Sequence, residues 1–465
     1  MFIFYDFETS SRDLVGQILS YAFVVTDQQL TPIDSFTGLI KLNRTQFPEV
    51  QAILTNKINI TQLQQTGLPE HQAAHNIFNF LNSLVAQYKQ CTLVGFNSNQ
   101  FDLSFLRNLL IRYGFNPYFK GKINNLDILH WTQYLAFQHP QSFPWVQQQS
   151  EKSSYYSFRL EDLTQATNIL TEQQSHNALE DVLLTIDLVK YFQHTFNESL
   201  NNFTSFYLPN DLTTTIPITQ KQRHFAALDT TPEKYIQSTY LPLSINPKNL
   251  LLIRLDNIPN IDTLQTLSEQ EKLQHILYVN PNKAFFHGQT CSSEQIQPYQ
   301  DLIAAINSDP FYQSIQSNPG NYFNLIKKNW DIEFQIHELG FEHITTLLNY
   351  KIRYFKDKSS YPSLLNELLS KRKTPKDDYL IQLFNRLYLN TDPNPNPNLL
   401  NRYLKPRYID GTLTKDTIPG KTFTDMQTEL TTAINTCTND NDLILLQAIQ
   451  TYADDFKRNL LVTQQ

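Results

Sequence analysis

The sequence predicts a mixed α/β domain over residues 1–195, a mostly β domain over 197–325 and an α-helical domain over 330–465. Strand-like and helix-like runs alternate in the first part, and short β-rich runs separated by Asn, Thr and Pro follow. Helical periodicity dominates the remainder. A chain of 465 residues, 40% of them hydrophobic, is long enough to bury several separate cores.

The α/β domain is predicted from its strands and helices in turn. Runs rich in aromatic and β-branched residues indicate the strands Phe2–Tyr5, Ile18–Val25, Ile33–Leu42 and Thr92–Phe96. Apolar residues at helical spacing indicate the helices Ala73–Tyr88, Leu103–Tyr113 and Ala178–Phe192. A long Gln-rich loop is expected before the last of these helices.

The two later domains have weaker patterns. In the second domain we expect the strands Leu250–Leu255 and Ile276–Val279. In the third we expect the helices Ile344–Phe355, Leu380–Tyr388 and Leu443–Tyr452. Alternating prolines at 392–397 predict an extended loop inside the third domain rather than a domain boundary.

Composition excludes several protein classes. No Gly-rich phosphate-binding loop occurs, and the three cysteines lack the spacing of a disulfide framework or a zinc cluster. No apolar run reaches the ~18 residues of a membrane span, and the first residues lack the basic start of a secretion signal, which predicts a cytoplasmic protein. The net charge of −7 weakly disfavours nucleic acid, although carboxylates that hold cations do not repel phosphate.

The first strand ends in two acidic residues, Asp6 and Glu8, on either side of Phe7. Strand side chains alternate between faces, so the two carboxylates point the same way while Phe7 points to the core. A divalent cation would remove the repulsion between them. An isolated pair of this kind is more often a solvated strand end, so it predicts a site only together with further ligands.

Three more polar residues complete a candidate site. Asp102 lies at a strand-to-helix junction, His176 just before a helix expected to begin at Ala178, and Asp181 one turn inside that helix. Singly, each has a common alternative, because an Asp often stabilises a helix N-terminus and a loop His is usually inert. Together the four carboxylates predict two Mg²⁺ ions, with Mn²⁺ as a substitute, suited to phosphodiester hydrolysis. Histidine titrates near neutral pH, so His176 is the candidate general base.

Three motifs carry a resemblance to a known family. They are YDFETS (5–10), GFNSNQFDLSFLRN (95–108), and SFRLEDLTQATNI (157–169) followed by SHNALEDV (175–182). These segments resemble the motifs of the DEDDh class of 3′→5′ exonucleases, and more narrowly those of the bacterial exonuclease I family. The resemblance covers residues 1–195, and only fragments such as NLLLIRLDN and LLQAIQTYADDF extend it into the later domains.

This resemblance implies a ribonuclease-H-like exonuclease domain, then an SH3-like β domain and a C-terminal α-helical domain. It also implies the roles of the site residues: Asp6, Glu8, Asp102 and Asp181 hold the metal ions, and His176 is the general base.

The resemblance further implies contacts with the substrate. Glu8 lies where the family contacts the terminal nucleotide, and Arg159 matches a substrate-contacting arginine. Arg107 could hold a phosphate, with a solvated helix face as the alternative. Tyr118 and Phe158 could stack on bases, with core packing as the alternative.

The activity implied is that of exodeoxyribonuclease I: Mg²⁺-dependent, processive 3′→5′ hydrolysis of single-stranded DNA to 5′-mononucleotides, in DNA repair and recombination. Two alternatives stay open, an RNA-trimming exoribonuclease of the same class and a non-catalytic single-strand DNA-binding protein on the same fold. The implied partners are single-stranded DNA and the C-terminal tail of single-strand-binding protein. The resemblance also implies a monomer.

Overall fold

A computed structural model describes the chain in stretches separated by short gaps. The described residues are 1–149, 154–170, 176–203, 206–207, 214–217, 225–226, 237–246, 249–258, 260–280, 286–325, 336, 339–412 and 421–461. They form two compact units. The first unit joins Met1–Asn125, Ser175–Leu183 and Lys328–Gln465, and the second joins Leu126–Gln174 and Leu184–Lys327.

A five-stranded mixed sheet carries the first candidate ligands. Its strands are β1 (Phe2–Thr9), β2 (Ile18–Thr26), β3 (Pro32–Leu39), β4 (Cys91–Gly95) and β5 (Ile123–Asp127). Their spatial order is β3-β2-β1-β4-β5. β2 pairs antiparallel with β1 and β3, whereas β4 runs parallel to β1, so β1 lies in the middle of the sheet.

The helices up to residue 203 are α1 (Val50–Asn56), α2 (Ile60–Thr66), α3 (Glu70–Tyr88), α4 (Asp102–Arg112), α5 (Ile128–Gln138), α6 (Leu160–Ala166) and α7 (Ala178–Phe196). The four strands and three helices predicted for this part are therefore confirmed. The Gln-rich loop is wrong: that segment holds β5, α5, α6 and the hairpin strands β6 (Val146–Gln149) and β7 (Ser154–Ser157). Helix α5 is buried on nearly all sides, so it has no polar stripe to reveal its period.

The second unit contains strands and helices in its later part. The strands are β8 (Phe206–Tyr207), β9 (Thr214–Pro217), β10 (Phe225–Ala226), β11 (Gln237–Asn246), β12 (Asn249–Arg254), β13 (Ile276–Val279), β14 (Phe286–His287) and β15 (Gln289–Thr290). The helices, which the sequence pattern did not predict, are α8 (Ile261–Thr266), α9 (Glu269–Gln274), α10 (Ser293–Ile296), α11 (Gln300–Ser308), α12 (Pro310–Ser317) and α13 (Gly320–Leu325). Both strands expected in this region, now β12 and β13, are confirmed, while most of 204–236 lies outside the described residues.

The C-terminal segment is helical, as predicted. Its helices are α14 (Phe341–Lys356), α15 (Tyr361–Ser370), α16 (Pro375–Thr391), α17 (Pro397–Leu404), α18 (Phe423–Thr436) and α19 (Asp440–Leu461). The proline-rich stretch ends α16 and leads into α17 as a loop. In the part of the chain that the structure describes, no helix combines the length and apolar character needed to cross a membrane.

The hydrophobic cores of the first unit combine residues from both ends of the sequence. One core joins Ile3 and Phe23 of the sheet to Leu347 of α14 and to Phe384 of α16, among others. A second joins the N-terminal segment to α17, α18 and α19, with Phe47 and Phe456 at a ring-centroid distance of 5.4 Å. The helical segment therefore completes the cores that support the sheet, and the division into three domains at 195 and 330 stays a prediction.

Candidate active site

Three carboxylates from β1 and α7 meet at one point of the first unit. Asp6 and Glu8 share a face of β1, Asp181 lies in the first turn of α7, and one oxygen of each lies within 4.8 Å of the others. Asp6 and Glu8 are half-buried, and Asp181 is buried. Phe7 points to the opposite side, with its ring 5.6 Å from that of Phe23 in the core. Strand alternation therefore brings the two strand carboxylates together.

Burial and mutual repulsion raise the pKa values of the strand carboxylates. For Asp6 the loss of hydration is the main cause of the raised pKa, and the charge of Asp181 adds to it. For Glu8 burial, followed by the charges of Asp6 and Asp181, raises the pKa to about 9. The site therefore carries an electrostatic cost that bound protons or a divalent cation would remove.

Asp102 joins the helix α4 to the strand that carries the other ligands. It is the first residue of α4, is buried, and accepts a hydrogen bond from the backbone N–H of Phe7 at 3.1 Å. Burial, then the charge of Asp6, raises the pKa of Asp102, while hydrogen bonds from its own backbone N–H and that of Phe7 lower it. Asp102 is not part of the 4.8 Å group found among the described residues, but it is electrostatically coupled to that group.

His176 lies two residues before α7. It is half-buried, and its φ of +51° is uncommon for a residue with a side chain. The following residue, Asn177, caps the helix, since its side-chain oxygen accepts the N–H of Leu179 at 3.0 Å. The helix therefore begins at Ala178, as predicted. His176 is outside the 4.8 Å carboxylate group of the described residues, and its role as general base stays a prediction.

Arg107 and Tyr118 form a pair on the first unit. The guanidinium carbon of Arg107 lies 5.3 Å from the centroid of the Tyr118 ring, which is 42% exposed. A nucleotide could stack its base on such an exposed ring while the neighbouring cation contacts its phosphate. Their contacts with a nucleotide stay predictions.

Phe158 and Arg159 lie in the second unit, where β7 leads into α6. Arg159 is exposed and occupies the N-cap position of α6. Phe158 is 3% exposed, with its ring 5.6 Å from Phe143 and 5.8 Å from Trp145. Core packing, the alternative kept open for Phe158, is its environment in this structure, and base stacking would require the ring to leave that cluster.

The structure adds supporting residues that the sequence did not reveal. Tyr5 precedes Asp6 in β1, and its hydroxyl donates to the Asn125 side chain at 3.2 Å. Asn125 in turn donates to the Asn99 side chain. Asn99 belongs to the loop that leads into Asp102. No spacing rule connects residue 125 with residue 99, and Asn125 lies in the segment expected to be a loop, so no sequence signal identified this chain of hydrogen bonds.

Comparison with known proteins finds curated relatives that match part of the chain. No family model matches it. Exodeoxyribonuclease I of Buchnera aphidicola subsp. Acyrthosiphon pisum is 26% identical over 275 residues, which cover 57% of this chain and 63% of the relative. Exodeoxyribonuclease I of Escherichia coli K12 is 27% identical over 194 residues, covering 41% of this chain and 39% of the relative. Less than two thirds of either relative's length is matched.

Solved structures resemble the chain over nearly its whole length. Exonuclease I from Methylocaldum szegediense superposes with a TM-score of 0.64 at 17% identity. Escherichia coli exonuclease I in complex with a dT13 oligonucleotide superposes with a TM-score of 0.68 at 16% identity. Each comparison covers 98% of this chain and 99% of the other. The chain has the exonuclease I fold.

The exonuclease I fold confirms the fold class expected from the three motifs and the resemblance to the bacterial exonuclease I family. It extends through the helical C-terminal segment, where the sequence resemblance was limited to fragments. A further Escherichia coli structure of this fold is the zinc-bound form of a complex with single-stranded DNA.

Proposed function

We propose that the chain is a 3′→5′ exonuclease that hydrolyses single-stranded DNA to 5′-mononucleotides with the help of Mg²⁺. The observation that carries the proposal is the convergence of Asp6, Glu8 and Asp181, whose oxygens lie within 4.8 Å of one another. Asp102 is the fourth carboxylate, and it accepts a hydrogen bond from the backbone N–H of Phe7, the residue between Asp6 and Glu8. The exonuclease I fold and the sequence likeness to exodeoxyribonuclease I support the same activity.

The donor set fits a divalent cation. Carboxylate oxygens are hard ligands that favour Mg²⁺ or Mn²⁺. Burial is the first cause of the raised pKa values of Asp6, Glu8 and Asp102, and the repulsion between carboxylates that adds to them would be relieved by a bound cation. These three residues and Asp181 would hold the cations. When bound, the cations would neutralise phosphate charge and make a water molecule more acidic.

His176 is the proposed general base. Histidine is the side chain that most often serves as a general base in enzymes, and in this role His176 would take the proton of the attacking water. The helix cap at Asn177 fixes the point where the chain enters α7, and this limits the freedom of His176 relative to Asp181. His176 and Asp181 therefore lie on either side of the point where α7 begins.

Single-stranded DNA is the proposed substrate. Two of the solved structures of this fold are complexes with the oligonucleotides dA16 and dT13. In this chain Arg159 is the proposed substrate contact and Arg107 the proposed phosphate contact. Tyr118 offers an exposed ring for stacking, which is worth ~1–3 kcal/mol per base and tolerates any sequence. Glu8 is the proposed contact to the terminal nucleotide.

The remaining expectations belong to the same proposal. We propose processive action in DNA repair and recombination, a monomeric cytoplasmic protein, and the C-terminal tail of single-strand-binding protein as a partner. The resemblance of the motifs to the exonuclease I family supports them.

The deciding experiment removes one carboxylate. Asp181→Ala should abolish release of mononucleotides from a single-stranded DNA oligonucleotide, because one of the three converging oxygens is lost, while circular dichroism stays that of the unaltered chain. The matched control is Asp187→Ala on the same helix, an exposed carboxylate paired with Lys190 at 3.3 Å, which should cleave normally. Unchanged cleavage by Asp181→Ala would overturn the proposal. Faster cleavage of a matched RNA oligonucleotide than of DNA would favour the exoribonuclease alternative.

A further inference from the structure

A buried carboxylate at the start of α3 has donors from three other segments of the first unit around it. The Glu70 oxygens accept from the Tyr113 hydroxyl at 2.7 Å and from the Asn43 amide at 2.5 Å. Arg112 and Arg386 each lie 3.4 Å from a Glu70 oxygen. Arg112 is the last residue of α4 and Arg386 belongs to α16. Glu70 therefore connects the sheet domain to the helical C-terminal segment.

The charges in this cluster depend on one another. Glu70, Arg112 and Arg386 are 1%, 3% and 2% exposed. A buried charge is stable only when ion pairs and hydrogen bonds replace its lost hydration. Because two guanidinium groups share the single Glu70 carboxylate, removal of either one changes the field that holds the other.

Arg112 has a second set of partners in the loop that follows β1. Its Nη2 donates to the backbone carbonyl oxygens of Leu14 at 3.1 Å and Val15 at 3.0 Å. Asn108, one turn earlier on α4, donates to the Leu14 carbonyl at 3.2 Å. A planar guanidinium can reach two adjacent acceptors at once, which makes this contact directional. Helix α4 is therefore hydrogen-bonded to the loop 10–17.

The loop 10–17 follows directly after β1, the strand that carries Asp6 and Glu8. Its first and last residues are joined, since the Ser10 N–H donates to the Gln17 carbonyl at 2.8 Å and the Gln17 N–H donates to the Ser10 hydroxyl at 2.9 Å. Glu8 precedes Ser10 by two residues. The same helix α4 begins with Asp102, which accepts the N–H of Phe7. Helix α4 therefore contacts the chain on both sides of Glu8, at Phe7 in β1 and at Leu14 and Val15 in the loop that follows.

We propose that Arg112 is a positioning residue for the active site and that Glu70 and Arg386 hold it in place. Through this cluster, helix α16 sets the geometry of Glu8 and Asp102, although it contributes no ligand of its own. The inference deepens the proposed function and rests on it for its effect on catalysis. Its effect on the loop 10–17 can be measured without any assay of activity.

The test replaces Arg386 by Met in the full-length chain. We expect the amides of Ser10 and Gln17 to exchange hydrogen about tenfold faster or more, because Glu70, the carboxylate that holds Arg112, loses one of the donors that fix its position. Mn²⁺ affinity, measured by calorimetry, should fall by up to about 10-fold, at the lower end of the cost of removing a group bonded to a metal ligand itself. On a short oligonucleotide kcat should fall while KM stays the same, and additional Mn²⁺ should restore part of kcat.

The matched control is Arg372→Met. Arg372 is an exposed arginine of the same C-terminal segment, paired with Asp378 at 2.7 Å, and its loss should leave loop exchange and Mn²⁺ affinity unchanged. Arg386→Lys keeps the charge and should recover much of the Mn²⁺ affinity.

Should Arg386→Met fail to fold, Arg112→Lys decides, because it keeps the charge beside Glu70 but cannot bridge Leu14 and Val15 in the same way. A folded variant with the loop exchange and Mn²⁺ affinity of the unaltered chain would overturn the inference. If the unaltered chain bound no Mn²⁺ and cleaved no DNA, the proposed function would fail, and loop exchange alone would then decide whether Arg112 positions the loop.

Discussion

At Glu8, burial and two neighbouring carboxylates raise the pKa to about 9. The same group titrates near 4.3 in an unfolded chain. Protonated Glu8 therefore stabilises the folded state fully below the unfolded pKa, and this contribution is lost as the pH rises through about 9. A divalent cation replaces the proton, so its binding competes with protonation.

This competition predicts how metal and pH act together on stability. Without metal, the melting temperature should fall between pH 6 and pH 9.5, and Mg²⁺ should raise it more at pH 9 than at pH 6, because at the lower pH Glu8 must first lose its proton. Calorimetric melts with and without Mg²⁺ measure both effects, and Glu8→Gln should flatten the dependence of the metal-free protein on pH. Equal Mg²⁺ shifts at both pH values would contradict the assignment.

Gly95, the last residue of β4, has no room for a side chain. A Cβ there would lie 2.6 Å from the Cβ of Ser98 and 3.2 Å from the ring of Tyr5. Gly95→Ala should therefore displace the loop that leads to Asp102 and destabilise the fold by about 1–3 kcal/mol, as overpacking usually does. Urea unfolding measures the loss. Gly121→Ala is the comparison, because the Cβ that it adds would meet nothing within 4 Å and only the φ of +72° would oppose it. A Gly95→Ala protein as stable as the unaltered one would show that the loop adjusts freely.

The positions of single site residues could be predicted where a local rule of strand or helix geometry fixes the direction of a side chain. Asp6 and Glu8 were placed on one face by strand alternation, and Asp181 was placed one helical turn in by the cap at Asn177, and the structure brings these three together. Phe158 was ambiguous, because an aromatic residue next to an arginine is equally compatible with stacking on a base and with packing in a core. Only the positions of Phe143 and Trp145 show its surroundings.

At the scale of elements, the pattern identified helices with one apolar face and missed the others. α14 has a buried residue at every third or fourth position along most of its length, so its helical period is visible in the sequence. α5 is buried on nearly all sides, and α1 and α2 have 7 residues each, which is too short to establish a period. Burial and length thus decided which elements could be predicted.

The contact between α19 and the segment after β3 makes an element-scale prediction. The Tyr452 hydroxyl lies 2.9 Å from the carbonyl oxygens of both Asn43 and Gln46. Tyr452→Phe should lower the free energy of unfolding by about 1–3 kcal/mol, because it leaves buried acceptors without this donor. Denaturant titration of the whole chain measures it, with Tyr191→Phe, at a ring that is 39% exposed, as the control. Equal losses in both variants would contradict a specific role for the Tyr452 hydroxyl.

At the scale of the whole molecule, the first unit is discontinuous in sequence. Residues 1–125, 175–183 and 328–465 build it together, and its cores take apolar side chains from both the sheet and the C-terminal helices. The sequence analysis placed its boundaries where composition changes along the chain. Composition carries no information about which distant segments share a core, so this arrangement could not be inferred.

Truncation tests this arrangement. Residues 1–195 expressed alone should be insoluble or lack a cooperative melt, because the surfaces that pack against α14, α16 and α19 would be exposed to water. Co-expression of residues 328–465 with residues 1–327 should restore solubility and Mn²⁺ binding. A soluble 1–195 fragment with a sharp melt would instead support an independent exonuclease domain.

The discontinuity of the first unit also fixes an order of events during synthesis on the ribosome. The strand that bears Asp6 and Glu8 emerges early, followed by α3 and α4, but the part of its core that α14 and α16 supply is translated only after the entire second unit has been made. Contacts so distant in sequence form late and leave apolar surface waiting in the meantime. A chain whose synthesis stops before residue 328 would therefore have every proposed ligand, while the apolar side chains that pack against α14 and α16 would be exposed to water.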